Sequence, residues 1–396
     1  MIVARKLGDD DSVGSASGKG LGAQIRLRFV DAARYAIARR FLGAKTTYYV
    51  DYIGLPGTAW MSHLCDAQVI SLHWVSGFLT SCRIRKMAQF ARIPLVWTLM
   101  DLAPLTGGCH YPGDCLGYTQ RCGRCPQIHS DTEHDLSRWT WQRKAKNFRD
   151  LPITIVAPTG WVADHTARSS LFGNARIVKI PLAIDAETFR PMDQRLAREV
   201  LHLPQGKKLI FFGACSMSEE RKGFAYLIEA LRQLAARLAG DPELPASQVG
   251  LMTAGQGFMR NPALPFESHS LGMLSDERVL ALAYQAADVF VSPSIEDAGP
   301  MMINESLMCG TPVVAFHVGG APDWVENLRT GYLAAMRDSA DLAHGIYTVL
   351  TASDRAVAMR LACRETALME FAPRVVARKY MELYESLIDD GTALAT

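Results

Sequence analysis

No window of ~18 consecutive apolar residues occurs in the 396-residue chain, so no membrane-spanning helix is expected. The first residues, MIVARKLGDDD, turn acidic where a secretory signal needs an apolar centre, which argues against secretion by that route. Glycine (31) and proline (19) stand near average abundance, and this excludes collagenous and low-complexity classes. No self-similar period of ~20–50 residues is visible, so a solenoid or propeller is not expected. A dense basic run with interleaved aromatics is missing too, which argues against a nucleic-acid partner. What is present is an ordinary globular composition, 49% hydrophobic and 21% charged. At ~150 residues per domain the length implies two or three domains. Their cores can be large enough to need no disulfide staple. The formal charge of +2 conceals an asymmetry. Residues 1–185 hold 23 Lys and Arg against 14 Asp and Glu, and residues 186–396 hold 19 against 26. A basic half joined to an acidic half suggests two domains with different partners, the basic one suited to anionic lipid or a phosphorylated substrate.

Apolar runs alternate with helical patterns along most of the chain. Strands are expected at Thr47–Asp51, Gln68–His73, Pro94–Leu99, Pro152–Pro158 and Arg176–Ile180. A second set is expected at Lys208–Gly213, Val249–Ala254, Asp288–Ser292 and Pro312–Phe316. Between them lie segments of helical period, such as the stripe Phe224, Leu227, Ile228, Leu231, Leu234 and Leu238. Near-continuous apolar strands separated by helices predict parallel α/β layers. Two such sets, divided near Pro181–Pro191, predict two Rossmann-like doubly wound domains, residues 1–185 and 186–373. A closing amphipathic helix, Arg374–Ile388, docks on one of them.

Residues 288–320 (DVFVSPSIEDAGPMMINESLMCGTPVVAFHVGG) carry the densest chemistry. They predict a strand, a polar turn, a short helix and a Gly-Thr-Pro turn into another strand. Backbone N–H groups at such a helix start suit a diphosphate. Glu305, one turn into the helix, can accept two hydrogen bonds from ribose hydroxyls. Glu296 and Asp297 lie at the turn, where sugar hydroxyls would meet them.

This segment resembles the donor-binding signature of family-four retaining glycosyltransferases. The resemblance implies the GT-B fold, two such domains facing across a cleft with the closing helix crossing back to the first. That signature has two glutamates separated by seven residues. Asp297 satisfies the spacing to Glu305 and Glu296 the residue type, so both remain candidates. Phe211-Phe212-Gly213-Ala214 and Arg221-Lys222-Gly223 resemble the family's glycine turn and basic pair. The resemblance implies donor binding by Gly213, Arg221, Lys222, Gly299, Pro300, Met301, Met302 and Glu305. It implies a nucleotide on the second domain and an acceptor on the first.

In the first half, VISLHW (residues 69–74) and residues 96–127 resemble bacterial exopolysaccharide and lipopolysaccharide sugar transferases, with their HW motif and GGCHY…CxxCP block. His73 and Trp74 end one strand, and Asp101 ends the next, at the carboxyl edge where α/β proteins bind ligands. The expected roles are catalytic for Asp101, Glu296 and Asp297, and acceptor-side for His73, Trp74 and His110. Cys109, Cys115, Cys122 and Cys125 fall within 17 residues and end in a CxxC. Four clustered thiolates would close a tetrahedral structural zinc site, with His110 as an alternative ligand and four reduced thiols or two disulfides as the other outcomes. Catalysis itself is expected to need no metal or other cofactor.

Two departures bear on activity. The strand and Gly-rich turn with which such enzymes begin have no counterpart ahead of MIVARK. Met100 stands where the resemblance calls for a histidine that reaches the transferred sugar, and a thioether is no hydrogen-bond donor. The expected function is hexosyl transfer from a nucleoside diphosphate sugar to a glycan or lipid-linked saccharide, in cell-surface polysaccharide synthesis. The alternative is a sugar-nucleotide-binding paralogue or subunit with impaired turnover. The basic amphipathic segment 24–45, with Arg83, Arg85 and Lys86, predicts a cytoplasmic protein held peripherally on the inner membrane face.

Overall fold

The computed structural model describes residues 64–216, 218–257, 264–299 and 301–393, with 2–3, 14–15, 28–29, 32, 51–52, 54 and 61 ahead of them. Most of the basic segment 24–45, the expected strand at 47–51 apart from Asp51, and Pro300 lie outside these residues. The chain divides into two compact units. One is Met1–Ile180 with Met381–Thr396, the other Pro181–Tyr380.

The first unit holds a parallel sheet in chain order: β1 (Ile70–Leu72), β2 (Leu95–Thr98), β3 (Ile153–Ala157) and β4 (Ile177–Lys179). Every residue of β2 and β3 is buried, as expected of central parallel strands covered on both faces. Helices Ser81–Ala91 and Leu136–Phe148 pack together. Each starts on a side chain suited to the orphan amides: Thr80 accepts from Arg83 N, and Asp135 from Arg138 N. The closing helix is longer than its sequence pattern suggested, Pro373–Ala393. In the first unit it bonds Tyr384 Oη to Ser71 Oγ (3.0 Å), and Arg176 reaches Ser386 (3.1 Å) and Asp390 (3.4 Å). Arg85 does not serve as a free surface cation. Its guanidinium donates to the carbonyls of Lys146, Asn147 and Arg149, satisfying the end of helix Leu136–Phe148.

The second unit has a six-stranded parallel sheet. Its strands are β5 (Lys208–Ser216), β6 (Val249–Gln256), β7 (Glu267–Ser270), β8 (Val289–Ser292), β9 (Val313–Phe316) and β10 (Gly331–Ala334). Their order is β10-β9-β8-β5-β6-β7. Chain order reverses at β5, beside β8, and such a switch point opens a crevice at the carboxyl edge. Alternation along the strands divides the core in two. Leu209 and Phe211 join Phe290, Val313 and Ala315 on one face. Ile210 and Phe212 join Val289, Val291, Val314 and Phe316 on the other. The stripe Phe224, Leu227, Leu231, Leu234 and Leu238 is buried against the second face, and Ile228 packs at its margin.

Candidate active site

The second unit assembles its chemistry at the switch point. After β5 the chain makes one 3₁₀ turn, Glu220–Lys222, and enters helix Phe224–Leu238 through Gly223. Gly223 has φ +69°, and a Cβ there would stand 1.8 Å from the Pro293 carbonyl oxygen. No other residue fits so close an approach to the loop following β8. Ile295 N donates to Arg221 O (2.8 Å), joining the two loops. The Lys222 ammonium then meets Asp297 Oδ2 at 2.7 Å, while Arg221 pairs with Glu219 at 3.0 Å. Glu296 and Asp297 are both buried. Met302 lies against Gly213, where a Cβ would stand 2.4 Å from its Cε. Gly299 faces Leu182 of the same unit, and Met301 begins the short helix Met301–Met308.

Glu305 sits in that helix with 9% of its surface exposed. Its Oε2 accepts from the Tyr284 hydroxyl (2.8 Å). Burial lifts the carboxyl to about 7, against the downward pull of that hydrogen bond. Tyr284 is fully buried, and its phenol is pushed well above the ordinary range by burial and by Glu305. The Gly-Thr-Pro turn holds Tyr284 in turn. Thr311 Oγ1 donates to Tyr284 O (2.7 Å), and Ser306 Oγ donates to Thr311 O (2.9 Å). Thr311 belongs to the Gly-Thr-Pro turn already visible in the sequence, whereas Tyr284, twenty-one residues from its partner, carried no functional signature.

In the first unit, Asp101 and His110 form a buried pair. Asp101 Oδ2 stands 2.6 Å from His110 Nδ1, and Asp101 Oδ1 accepts from Ala103 N (2.7 Å). Trp74 stacks on the imidazole, centroids 5.2 Å apart, and keeps about half its own surface exposed. His73 is exposed and bonds Ser71 Oγ (3.3 Å). Its carbonyl accepts from Trp97 Nε1 (3.3 Å). The Gly-rich loop beside Asp101 is held by Lys144, fully buried, which donates to Ala103 O (2.6 Å) and Thr106 O (3.0 Å). Burial lowers its ammonium to about 8. Both carboxylate oxygens of Asp101 thus have partners within the protein.

Cys109, Cys115, Cys122 and Cys125 line one small cavity, all as free thiols. Gly107 N donates to Cys122 Sγ (3.1 Å) and Gly117 N to Cys115 Sγ (3.4 Å). Burial pushes the Cys122 thiol up to about 12, and Cys109 higher still. Among the described residues no group of three or more His, Cys, Asp or Glu side chains is placed to hold a metal ion. The expected zinc site is thus not indicated by this arrangement: the thiols gather, and loop amides engage Cys122 and Cys115 singly. Among the described residues no helix is long and apolar enough to cross a membrane.

Residues 206–352 match the family model for glycosyl transferases group 1. The chain is 29% identical over 256 residues to D-inositol 3-phosphate glycosyltransferase 2 of Catenulispora acidiphila, covering 62% of this chain and 58% of that one. It is 29% identical over 235 residues to a putative colanic acid biosynthesis glycosyl transferase, WcaC, of Escherichia coli, covering 58% and 53%. The chain thus spans a little over half the length of these curated relatives. Among solved structures, sucrose-phosphate synthase of Thermosynechococcus elongatus aligns at TM-score 0.59 and 18% identity, over 96% of this chain and 84% of that one. HepE of Anabaena, solved with UDP-glucose, aligns at 0.58 and 17%, over 83% and 81%. Two Rossmann-like parallel sheets, the second bearing the matched segment, give this chain the GT-B fold and a resemblance to the group 1, family-four-like glycosyltransferases of bacterial polysaccharide synthesis.

Proposed function

We propose that this protein is a retaining glycosyltransferase. It moves a hexosyl group from a nucleoside diphosphate sugar to a glycan or lipid-linked saccharide, on the inner face of the membrane, in the building of a cell-surface polysaccharide. The observation that carries the reading is the meeting of two loops at the β5–β8 switch point. Lys222 and Arg221 come from one, Glu296 and Asp297 from the other, and Glu305 follows one helical segment on. Departure of the nucleotide puts negative charge on the diphosphate. Lys222, Arg221 and the amides that begin helix Met301–Met308 are the groups that would stabilise it, and none of them needs a metal. Glu305 would hold the ribose. Asp297, or Glu296 beside it, would meet hydroxyls of the sugar. HepE was solved with UDP-glucose, which makes that compound the first donor to try. Residues 1–185 would carry the acceptor side and residues 186–373 the donor side.

The test is a thermal-shift panel of UDP-glucose, GDP-mannose and ADP-glucose, followed by transfer to membrane lipid extract. A ligand at 100 times its dissociation constant adds ~2.7 kcal/mol of stability. A donor that stabilises the protein, with product of unchanged anomeric configuration by NMR, is the expected result. No shift with any of the three would sink the reading. Binding without transfer would favour the alternative of a donor-binding paralogue, for which Met100, half-buried beside His73, Trp74 and Asp101, is the specific observation.

A further inference from the structure

A cavity of about 870 Å³ opens in the first unit at the amino edge of its sheet, where β2, β3 and β4 begin just after Pro94, Pro152 and Arg176. His73, Trp74 and Asp101 stand at the carboxyl edge, a strand length of roughly 13–17 Å away, so the cavity is separate from them. All of its walls belong to this unit, and the closing helix adds Leu387 and Asp390. A void of this size departs from the close packing of protein interiors, and it falls within the ~300–1,000 Å³ of small-molecule sites. The wall narrows the choice of ligand. Phe148 and Phe172 line it with ring centroids 5.3 Å apart, and buried Trp97 packs edge-on against both, so the aromatic surface is preformed. The polar groups here are already committed. The N–H groups of Leu151, Ile153, Gly173 and Ala175 donate to nearby carbonyls at 2.7–3.1 Å, and Pro94 and Pro152 have none to give. Ser169 and Ser170 turn their hydroxyls to Leu105 O (3.0 Å) and Tyr118 O (2.9 Å). A sugar or an extended peptide would find few partners on this wall, whereas a hydrocarbon forfeits none. The exposed rim carries charge. Arg176 is paired with Asp390 at 3.4 Å, but the Arg92 guanidinium has no partner among the described residues.

We propose that this cavity binds a long alkyl chain ended by an anion. The chain lies along Phe148, Phe172, Leu171 and Leu387, and its carboxylate or phosphate meets Arg92. A free fatty acid and an acyl chain of an anionic phospholipid share this chemistry. The site does not depend on the glycosyl-transfer reading, because it uses none of the residues assigned to donor or acceptor.

The experiment is calorimetry on the full chain purified without detergent, with every probe kept below micelle formation. Laurate is expected to bind once per chain. Dodecyltrimethylammonium, equal in chain length but opposite in charge, should bind far more weakly, and butyrate, an anion without the chain, not at all. Arg92→Glu should weaken laurate roughly three- to tenfold, about the effect of reversing one charge near a surface. Leu171→Trp and Ala175→Trp fill the cavity and should abolish binding. A control that needs no folded variant is a diazirine-bearing fatty acid cross-linked to the wild-type chain. Its adducts are expected on the peptides that hold Ile93, Leu151, Leu171 or Leu387. Displacement of this probe by phosphatidylglycerol vesicles, and not by phosphatidylcholine vesicles, identifies a membrane lipid as the source. Displacement by laurate alone identifies a free fatty acid. Absence of laurate binding, equal binding of laurate and dodecyltrimethylammonium, or adducts confined to other segments would each overturn the proposal.

Discussion

Glu305 is held in conflict with its surroundings, and Glu305→Gln exposes the conflict. The carboxyl's ordinary value of 4.5 is lifted to about 7 by burial. At ~1.4 kcal/mol per pH unit, ionising it inside the fold costs about 3 kcal/mol relative to the unfolded chain. Between pH 4.5 and about 7 the native state binds more protons than the unfolded state. The group's favourable contribution is therefore complete below 4.5 and is lost as pH rises through 7. Glutamine keeps the shape and still accepts from the Tyr284 hydroxyl, but it has nothing to ionise. Urea denaturation followed by fluorescence and circular dichroism, from about pH 5 to about pH 8, should show the variant gaining on wild type by up to ~3 kcal/mol. Function should move the other way. A carboxylate accepting two ribose hydroxyls is worth ~1.5–3 kcal/mol, so the amide should bind nucleotide roughly ten- to hundredfold more weakly. Wild-type affinity should also climb as pH passes about 7, because only the ionised acid offers both oxygens. A stability difference that stays flat across this range would refute the reasoning, whatever happens to binding.

Three further outcomes are open to measurement. Lys222→Ala should weaken UDP far more than uridine, and it leaves buried Asp297 without the ammonium at 2.7 Å; equal losses for the two ligands by calorimetry would place the cation away from the diphosphate. Gly223→Ala should lower stability by more than ~1 kcal/mol and impair donor binding with it, since the new methyl meets the Pro293 carbonyl at 1.8 Å in a left-handed backbone; a variant with unchanged melting temperature would contradict that packing. Lys144 has its ammonium lowered from 10.5 to about 8, so its favourable contribution is present above 10.5 and lost as pH falls through 8. Wild type minus Lys144→Met should therefore rise by up to ~3 kcal/mol over that window, and a flat difference in urea midpoints would contradict it.

The acidic segment proposed for the donor was legible as a cluster because its residues are nearly consecutive in the chain. Glu296, Asp297, Gly299 and Glu305 lie within ten residues, and strand and helix patterns on either side fix where they point. The central strands were legible for a similar reason. Val313–Phe316 or Ile153–Ala157, buried on both faces, leaves few alternatives. The edge strands Glu267–Ser270 and Gly331–Ala334 escaped notice. ESHS is exposed and polar, and pairing with a neighbour makes it a strand more than its own composition does. Supports from far along the chain were equally invisible. Neither Tyr284 beneath Glu305 nor Lys144 beneath the loop at Ala103–Thr106 carries any local sign of its contact. The cysteine spacing was read as a metal ligand set, yet spacing alone does not tell whether loop amides or an ion will occupy the sulfurs.

The first unit is written in two pieces, residues up to Ile180 and the tail from Met381. On the ribosome this imposes an order. The segment that supplies Tyr384 for Ser71, and Ser386 and Asp390 for Arg176, emerges only after all of Pro181–Tyr380. At ~5–20 residues per second the first unit waits on the order of ten seconds or more for its final helix, while the second, contiguous unit can already fold. A nonsense mutation at codon 381 would thus spare the sequence of the second unit and remove a part of the first. Until that tail is made the first unit lacks Leu383, which is buried in the finished fold.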